Sequence, residues 1–299
     1  MGDIEDWRLV GEIVHKILRS YSTRIKPGMK LLDICERVEQ EIRRYGARPA
    51  FPTNIGINSV AAHYTAAPLD NHIVPNNAVV KLDIGAITQS GAIADASITI
   101  RIGGNKLIDD AIKKAKEVLD EAISFVRAGI RVGEIGGIIW RAAHRKGLGI
   151  LVDLTGHSIE RWTLHGGITI PNVPKRFTPR LKENMIIAIE PFFIISDEDS
   201  ITVPDHSAVN IYSVVKTGRN PILKKLYNRF RSLPFSLRWI RPRDGDIRGF
   251  VRRMHNFLLE KSYEGYVRVY PTLVEQKKRW VIQFEHTVLV KTNSAEVLT

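Results

Sequence analysis

The sequence predicts an α+β fold in which antiparallel strands are combined with amphipathic helices and interrupted by a basic helical insertion. Apolar residues recur at helical spacing over 108–127, which predicts the clearest helix of the chain. Two strand-like runs, 78–84 and 92–101, lie on either side of a short polar turn and predict a hairpin. Strand character returns at 267–275 and 280–291, after two basic helices, so the helices are expected to interrupt one mixed domain.

The other elements are predicted from the same patterns. Residues 50–63 contain a proline, a glycine and two asparagines and are expected to be irregular or extended. Further segments with apolar residues at helical spacing are 3–20, 30–45, 133–145, about 221–232 and about 246–260. The last two are separated by the helix-breaking residues 241–245. Strands are expected over 163–170 and 185–194, around a proline-rich loop.

The composition is that of an ordinary globular protein. The chain has 299 residues, of which 44% are hydrophobic and 25% are charged. No window approaches the roughly 18–20 consecutive apolar residues of a membrane helix. The first residues carry acidic side chains and lack the apolar region of a signal peptide. Cys35 is the only cysteine, which excludes an internal disulfide and thiolate-based catalysis, and we expect a cytoplasmic protein.

Almost all of the net charge of +12 belongs to one segment. Residues 216–253 contain twelve lysines and arginines and only two aspartates, so this segment carries +10 and the remainder +2. Aromatic residues are interleaved with the cations, at Tyr227, Phe230, Phe235, Trp239 and Phe250. This pattern is typical of a surface that contacts phosphates and stacks on bases, and equally of a solvated helical face.

Four carboxylates and one histidine lie in or directly after apolar, strand-like runs. They are Asp83, Asp95, His157, Glu190 and Glu285. A bare carboxylate in a core is costly unless it is paired or binds a cation. Any one of these residues taken alone is more typical of a structural role. Together, however, they would carry a charge of about −4, which two divalent cations would balance.

The predicted hairpin is expected to bring the first two carboxylates close together. If Thr88–Ser90 form a three-residue loop with a bulge at Gly91, Asp83 and Asp95 are expected to face each other across the two strands. Two carboxylates at that separation share a proton or bind a cation.

These residues belong to six ordered motifs. The motifs are Phe51-Pro52-Thr53-Asn54 through Ala61-Ala62-His63-Tyr64, Lys81-Leu82-Asp83-Ile84-Gly85, Ile93-Ala94-Asp95, Gly156-His157 through Leu164-His165-Gly166-Gly167, Ile189-Glu190-Pro191, and Gln283-Phe284-Glu285-His286-Thr287. With them the chain resembles type 2 methionine aminopeptidases over essentially its whole length, and the archaeal form most of all. The long gap between Glu190 and Glu285 strengthens the resemblance, because type 1 enzymes and prolidase-like relatives lack the helical insertion.

The resemblance implies a pita-bread fold, with a curved antiparallel sheet, flanking helices and a helical insertion subdomain. The catalytic domain is expected to comprise residues 1–191 and 268–299, and the basic insertion residues 192–267. One departure from the family pattern is that Asp95 follows Asp83 by twelve residues instead of eleven. We expect the additional residue in the turn at 88–91, because an insertion inside a strand would place one aspartate on the wrong face.

The resemblance also implies the chemistry of the site. Two divalent metal ions, of Co, Mn, Fe or Zn, would be bound by Asp83, Asp95, His157, Glu190 and Glu285. A hydroxide would attack the first peptide bond, with Glu190 transferring the proton and His63 and His165 contacting the substrate. Phe51, Leu164 and Tyr270 would line the pocket for the methionine side chain. The implied activity is removal of the initiator methionine from nascent proteins with a small second residue, by a monomer that does not contact a membrane.

Two other interpretations of the sequence remain open. Relatives of this fold that have lost their metal ligands bind RNA or protein, and the 216–253 segment would suit contact with ribosomal RNA. Prolidases and aminopeptidase P share the five metal ligands but cleave bonds to proline. The retained ligand positions favour an enzyme over a pure binding module, and the long insertion favours methionine over proline.

Overall fold

The computed structural model describes residues 2–242 and 245–299. The helices of these residues are α1 (Gly2–Arg24), α2 (Leu31–Arg44), α3 (Lys106–Ser124), α4 (Val132–Arg145), α5 (Pro221–Phe230), α6 (Leu237–Ile240) and α7 (Ile247–Tyr263). The first eight strands are β1 (Arg48–Pro49), β2 (Asn54–Ile57), β3 (Val60–Ala62), β4 (Ala78–Ile87), β5 (Ile93–Ile102), β6 (Gly149–Ile150), β7 (Thr155–Ile159) and β8 (Thr169–Pro171). The remaining strands are β9 (Ile186–Ile189), β10 (Phe192–Ile194), β11 (Thr202–Val214), β12 (Phe235–Ser236), β13 (Val267–Glu275), β14 (Val281–Gln283), β15 (His286–Val290) and β16 (Ala295–Val297).

Helices α3 and α5 begin where the sequence supplies capping groups. The side chain of Asn105 accepts a hydrogen bond from the Leu107 backbone N–H at the start of α3, which satisfies a donor that the helix itself leaves free. Asn220 does the same for two N–H groups of α5, and Pro221 occupies the first helical position, where it has no hydrogen bond to lose. Helix α3 buries the apolar stripe that predicted it.

The predicted hairpin is present, with strands longer than expected. Strands β4 and β5 pair without interruption from Ala78↔Ile102 to Ile87↔Ile93. The Thr88 N–H then donates to the Ala92 carbonyl at 2.9 Å, which leaves Gln89–Gly91 as the loop. Gly91 has φ +91°, a left-handed conformation that glycine adopts without strain.

This loop changes the predicted register. Asp83 pairs with Ser97, and Asp95 pairs with Gly85, so the expected direct opposition of Asp83 and Asp95 is wrong. The loop is Gln89–Gly91 instead of Thr88–Ser90, which offsets the two aspartates by two positions along the strands. Because side chains alternate with a period of two, both aspartates still lie on the same face of the sheet, as predicted.

The strands form four small antiparallel sheets. Their strand orders are β1-β4-β2 with β5 on β4, β14-β10-β6, β12-β11-β13-β3, and β16-β15-β9-β7-β8. Helix α1 covers β4 and β5, α2 packs against α1, β1 and β2, and these elements share one large apolar cluster. Helices α3 and α4 cover the last sheet with another. The site residues therefore lie between two helix-covered layers, where water has little access.

Two of the strands that were not predicted are β7 and β11, and one prediction is wrong. The segment 163–170 was expected to be a strand, but only Thr169 and Ile170 are extended, in β8, and the preceding residues form a turn. The strand of this region is instead β7, which has only five residues, three of them polar. Strand β11 is the other omission; its first half is exposed and polar, and it becomes a strand by pairing with β13.

Helices α5, α6 and α7 lie between β11 and β13 and form their own apolar cluster with these strands, centred on Tyr212, Leu223, Phe235 and Leu258. The two predicted basic helices correspond to α5 and α7 within three residues. Of the predicted breaker 241–245, Arg243 and Asp244 lie outside the described residues. No helix in the described part of the chain has the length and apolar character needed to cross a membrane.

Candidate metal centre

The five predicted ligand residues converge on one place from four different parts of the fold. Asp83 and Asp95 project from the same face of the β4–β5 hairpin. His157 lies on β7, opposite Ala188 of the neighbouring β9. Glu190 directly follows β9, where the chain turns into β10. Glu285 lies between β14 and β15, and its backbone exchanges hydrogen bonds with Ser97 of β5. Long-range pairing of strands therefore brings the five side chains together.

The side chains are close enough to share cations. Potential ligand atoms of Asp95, His157 and Glu285 all lie within 4.8 Å of one another, and all three residues are buried. The His157 Nε2 atom is 3.6 Å from Asp95 Oδ2 and 3.5 Å from Glu190 Oε1. Asp83 adjoins this group from the next strand, where its Oδ2 is 3.5 Å from the side-chain nitrogen of Asn54.

No lysine or arginine is among the described residues that line the cavity around these carboxylates. Burial and the charge of Asp95 raise the pKa of Asp83 well above its usual range. Burial raises the pKa of Asp95 to about 8. Burial, together with the other carboxylates of the group, also raises the pKa values of Glu190 and Glu285. Four carboxyl groups held this close are stable only if they are protonated or bind cations.

The hydrogen-bonding pattern fits bound cations better than protons. Asp83 Oδ1, Asp95 Oδ1 and Glu285 Oε1 are buried and have no hydrogen-bond partner among the described residues. A buried oxygen without a partner costs free energy, and a metal ion removes that cost. Burial lowers the pKa of His157 to about 4, which keeps the imidazole neutral and able to coordinate a metal. The donor set is thus four carboxylates and one imidazole, a set suited to borderline divalent cations.

The five ligand residues line a cavity with a volume of about 80 Å³, and the other predicted site residues line it as well. His63 and His165 are on its polar side, and burial lowers their pKa values to about 4 and about 3, so both rings are neutral. The His165 ring is 4.5 Å from the His157 ring. The predicted methionine-pocket residues are also in the lining: Phe51, Leu164 and Tyr270.

Several residues at this site were not identified from the sequence. Asn54 lies opposite Asp83 on β2, and Thr287 is hydrogen-bonded to the backbone of Asp95. Both belong to motifs that were recognised, so their proximity to the aspartates could have been suspected. Phe192, Ile211 and Pro234 complete the apolar wall of the cavity. Ile211 and Pro234 belong to the segment 192–267, and no local sequence pattern connects them to the site.

The basic segment is only partly as expected. Nine of its cations are exposed: Lys216, Arg219, Lys224, Lys225, Arg229, Arg231, Arg248, Arg252 and Arg253. Arg238 is instead buried, and Arg243 lies outside the described residues. Among the interleaved aromatic residues only Tyr227 is exposed, while Phe235 is fully buried in the local core. Phe230, Trp239 and Phe250 are partly buried, so these aromatic residues mainly form a core and expose only part of their rings.

Comparison with known proteins identifies the fold and the family. The model of metallopeptidase family M24 matches residues 5–292. A methionine aminopeptidase of Methanothermobacter thermautotrophicus is 35% identical over 99% of this chain and 98% of its own length. One from Saccharolobus solfataricus is 37% identical over 97% of this chain and 96% of its own. The crystal structure of a methionine aminopeptidase from Thermotoga maritima superimposes with a TM-score of 0.73, at 22% identity, over 100% of this chain and 96% of its own, and it supports the predicted pita-bread fold.

Proposed function

The chain belongs to the M24 metallopeptidases and, among them, to the methionine aminopeptidases, and from that premise we propose how its buried site carries out the reaction. The protein is a methionyl aminopeptidase, a hydrolase that removes the N-terminal methionine of proteins. The observation that best supports the mechanism is the buried group of four carboxylates around His157, for which no described residue of the cavity provides a cation.

Two divalent ions would be held by the five converging residues. These residues are Asp83, Asp95, His157, Glu190 and Glu285, and each would provide one or more oxygen or nitrogen ligands. When bound, the cations lower the pKa of a water molecule and act as Lewis acids toward the first peptide bond. The oxygen-rich donor set suits Mn²⁺, Fe²⁺ or Co²⁺ at least as well as Zn²⁺.

The protein's own groups would handle the proton and the developing charge. Glu190 lies 3.5 Å from His157 with its side chain partly accessible, and it would accept the proton of the attacking water and pass it to the leaving amine. His63 and His165 are neutral and line the same cavity, so an N–H of either ring would donate a hydrogen bond to the carbonyl oxygen as negative charge develops there.

The apolar wall would select methionine. Phe51, Leu164 and Tyr270 line the cavity, and a flexible thioether packs well against aromatic rings. The ring of Tyr270 meets that of His63 edge-on, with 5.6 Å between centroids. Tyr270 therefore contacts both the methionine pocket and a histidine that would contact the substrate. A small second residue is expected, as in the type 2 family that the sequence resembles.

Substrate preference is the sharpest test of this assignment. The metal-loaded protein should release methionine from Met-Ala-Ser and leave Ala-Pro peptides intact, with Mn²⁺, Fe²⁺, Co²⁺ and Zn²⁺ compared at equal concentrations. Preferential cleavage of Ala-Pro peptides would assign a prolidase or aminopeptidase P activity instead. No cleavage of either peptide with any of the metals would contradict the peptidase assignment.

The role of Glu190 is tested by Glu190→Gln, which retains the shape of the side chain but cannot accept a proton. Turnover of Met-Ala-Ser should be lost, while circular dichroism and the melting temperature remain those of a folded protein. Glu198→Gln, at an exposed position, is the matched control and should retain full activity. Near-normal turnover by Glu190→Gln would remove Glu190 from the proton-transfer step.

A contact with ribosomal RNA is a second proposal, supported by the nine exposed cations between positions 216 and 253. We place it on an insertion subdomain comprising residues 192–267, against a catalytic domain of residues 1–191 and 268–299, and we propose a cytoplasmic monomer. Binding through phosphates releases counterions, so the affinity for ribosomes should fall steeply as salt concentration rises. Salt-independent binding, or no binding at low salt, would contradict this contact.

A further inference from the structure

A second large cavity lies outside the metal centre. It has a volume of about 460 Å³ and is formed where the end of α2 and strand β1 meet α5, α6 and the loop between α5 and β12. We call it the arginine cavity, after Arg43, Arg48, Arg229 and Arg238 in its lining. It is separated from the metal-site cavity by a thin wall. Pro234 lines both cavities, and the consecutive residues Ala50 and Phe51 line one each.

The charge of the arginine cavity is not balanced by its acidic residues. Glu39 accepts hydrogen bonds from Arg238 at 2.6 Å and from the Trp239 indole at 2.6 Å, so both of its oxygens are engaged. Glu36 is paired with Arg241, at 2.9 Å. These contacts leave the other three arginines of the cavity without a carboxylate partner in the part of the chain that the structure describes: Arg43, Arg48 and Arg229.

The cationic groups are also held in position. The Nη2 atom of Arg229 donates to the Trp239 carbonyl at 2.7 Å, and its guanidinium lies 4.9 Å from the Phe230 ring centroid. Arg43 lies 6.0 Å from the Trp239 ring centroid. Arg238 is 5% exposed, and its Nε has no hydrogen-bond partner among the described residues. A buried guanidinium nitrogen without an acceptor is unusual, and it lies in the lining of a cavity that already has excess positive charge.

The remaining lining is apolar and partly aromatic. It includes Pro49, Leu233 and Pro234 together with the rings of Phe230 and Trp239. Arginines that meet phosphate through several N–H groups, next to a flat apolar wall, are suited to a ligand with a phosphate at one end and an aromatic ring at the other. The volume is in the range of small-molecule sites, which is about 300–1,000 Å³.

We propose that the arginine cavity binds a nucleoside phosphate, with the phosphate on Arg43, Arg48 and Arg229 and the base against Phe230 and Trp239. The same chemistry is available from a free nucleotide or from one residue of an RNA strand. The site does not use the metal ligands, and its existence does not depend on the peptidase reaction.

The test is isothermal titration calorimetry of the metal-loaded protein with AMP. Saturable binding is expected, and excess methionine should not displace the nucleotide, because methionine occupies the other cavity. Inorganic phosphate, adenosine and an acidic hexapeptide are the comparison ligands, and each should bind at least tenfold more weakly than AMP. No AMP binding, displacement by methionine, or equal binding of phosphate or of the peptide would overturn the proposal.

Variants locate the site. Arg43→Ala and Arg48→Ala each remove one charge-assisted contact and should weaken AMP binding about tenfold or more, while cleavage of Met-Ala-Ser continues. Arg252→Ala removes an exposed arginine that does not line the cavity and should bind AMP like the unaltered protein. Equal affinity in all three variants would place the nucleotide elsewhere and refute the assignment.

A 5′-phosphorylated tetranucleotide distinguishes the two sources of the ligand. Binding at least tenfold tighter than that of AMP, and lost in Arg43→Ala, would assign the cavity to a residue of an RNA strand. Equal or weaker binding would assign it to a free nucleotide.

Discussion

Asp95 and Thr287 are joined by a reciprocal pair of hydrogen bonds. The Asp95 backbone N–H donates to the Thr287 hydroxyl at 2.8 Å, and the same hydroxyl donates to the Asp95 carbonyl at 2.7 Å. The two residues are 192 positions apart and belong to β5 and β15. The hydroxyl thus connects the strand that carries Asp95 to the strand that follows another proposed metal ligand, Glu285.

Replacing Thr287 should therefore weaken metal binding without removing a ligand. Thr287→Val retains the shape but loses both hydrogen bonds, so Asp95 is held less firmly, and metal affinity should fall about 10- to 100-fold. Thr287→Ser keeps the hydroxyl and should restore most of the affinity. Thr292→Val, at an exposed position, is the control. Metal titration monitored by activity and by bound-metal analysis provides the measurement, and unchanged affinity in Thr287→Val would show that the pair has no positioning role.

Metal removal should lower the stability of the protein, because the buried carboxylates then repel one another. Chelation leaves four acidic groups close together without a counter-charge, and the melting temperature should fall by several degrees. Asp95→Asn removes one of these charges, so its metal-free form should melt above the metal-free unaltered protein. Addition of Mn²⁺ should then raise the melting temperature of the unaltered protein only. Differential scanning calorimetry with and without chelator tests this, and equal metal-induced shifts in both proteins would contradict it.

The parts of the site that the sequence predicted are those whose chemistry is unusual for their context. Asp83, Asp95 and Glu190 stand out because carboxylates rarely occur in apolar strands. The exact register between Asp83 and Asp95 was not predictable. It depends on whether Thr88 or Gln89 begins the loop, and both residues suit a turn. The prediction that Asp83 and Asp95 lie on the same face of the sheet is nevertheless correct, because it requires only that they be offset by an even number of positions along the paired strands.

What the sequence did not predict depends on contacts between distant segments. Strand β7 contains Gly156 and three polar residues and has no alternating apolar pattern, because its neighbours β8 and β9 and the metal site determine its environment. Strand β11 contains Pro204 and Asp205, which favour turns, and only pairing with β13 makes it extended. Ile211 reaches the site cavity through that pairing, and Pro234 directly precedes β12, which pairs with β11, so neither contribution could be read from local sequence.

Gly85 is predicted to be required for the methionine pocket because of its contact with Phe51. A Cβ atom at position 85 would lie 2.2 Å from Cε1 of Phe51, so Gly85→Ala must displace the ring that forms one wall of the cavity. The KM for Met-Ala-Ser should rise about tenfold or more, with the protein still folded. Gly104→Ala, where the nearest atom is 3.9 Å away, should leave the KM unchanged. A normal KM in Gly85→Ala would mean that the Phe51 ring does not contact the substrate.

The Glu39–Arg238 ion pair should contribute strongly to the stability of the contact between α2 and α6. Both side chains are at most 3% exposed, and they lie 2.6 Å apart between α2 and α6. Glu39→Gln leaves a buried guanidinium without its counter-charge, and the free energy of unfolding should fall by about 3–5 kcal/mol.

One turn earlier on the same helix, Glu36 provides the matched control. Glu36 is paired with Arg241 at 2.9 Å, but both side chains are at least 30% exposed. Water already solvates these charges, so Glu36→Gln should cost no more than about 1 kcal/mol. Adding Arg238→Met to Glu39→Gln removes the unpaired charge and should recover much of the lost stability. Urea denaturation of the unaltered protein, the two single variants and the double variant provides the measurement. Equal losses of unfolding free energy for Glu36→Gln and Glu39→Gln would show that burial does not strengthen the α2–α6 ion pair.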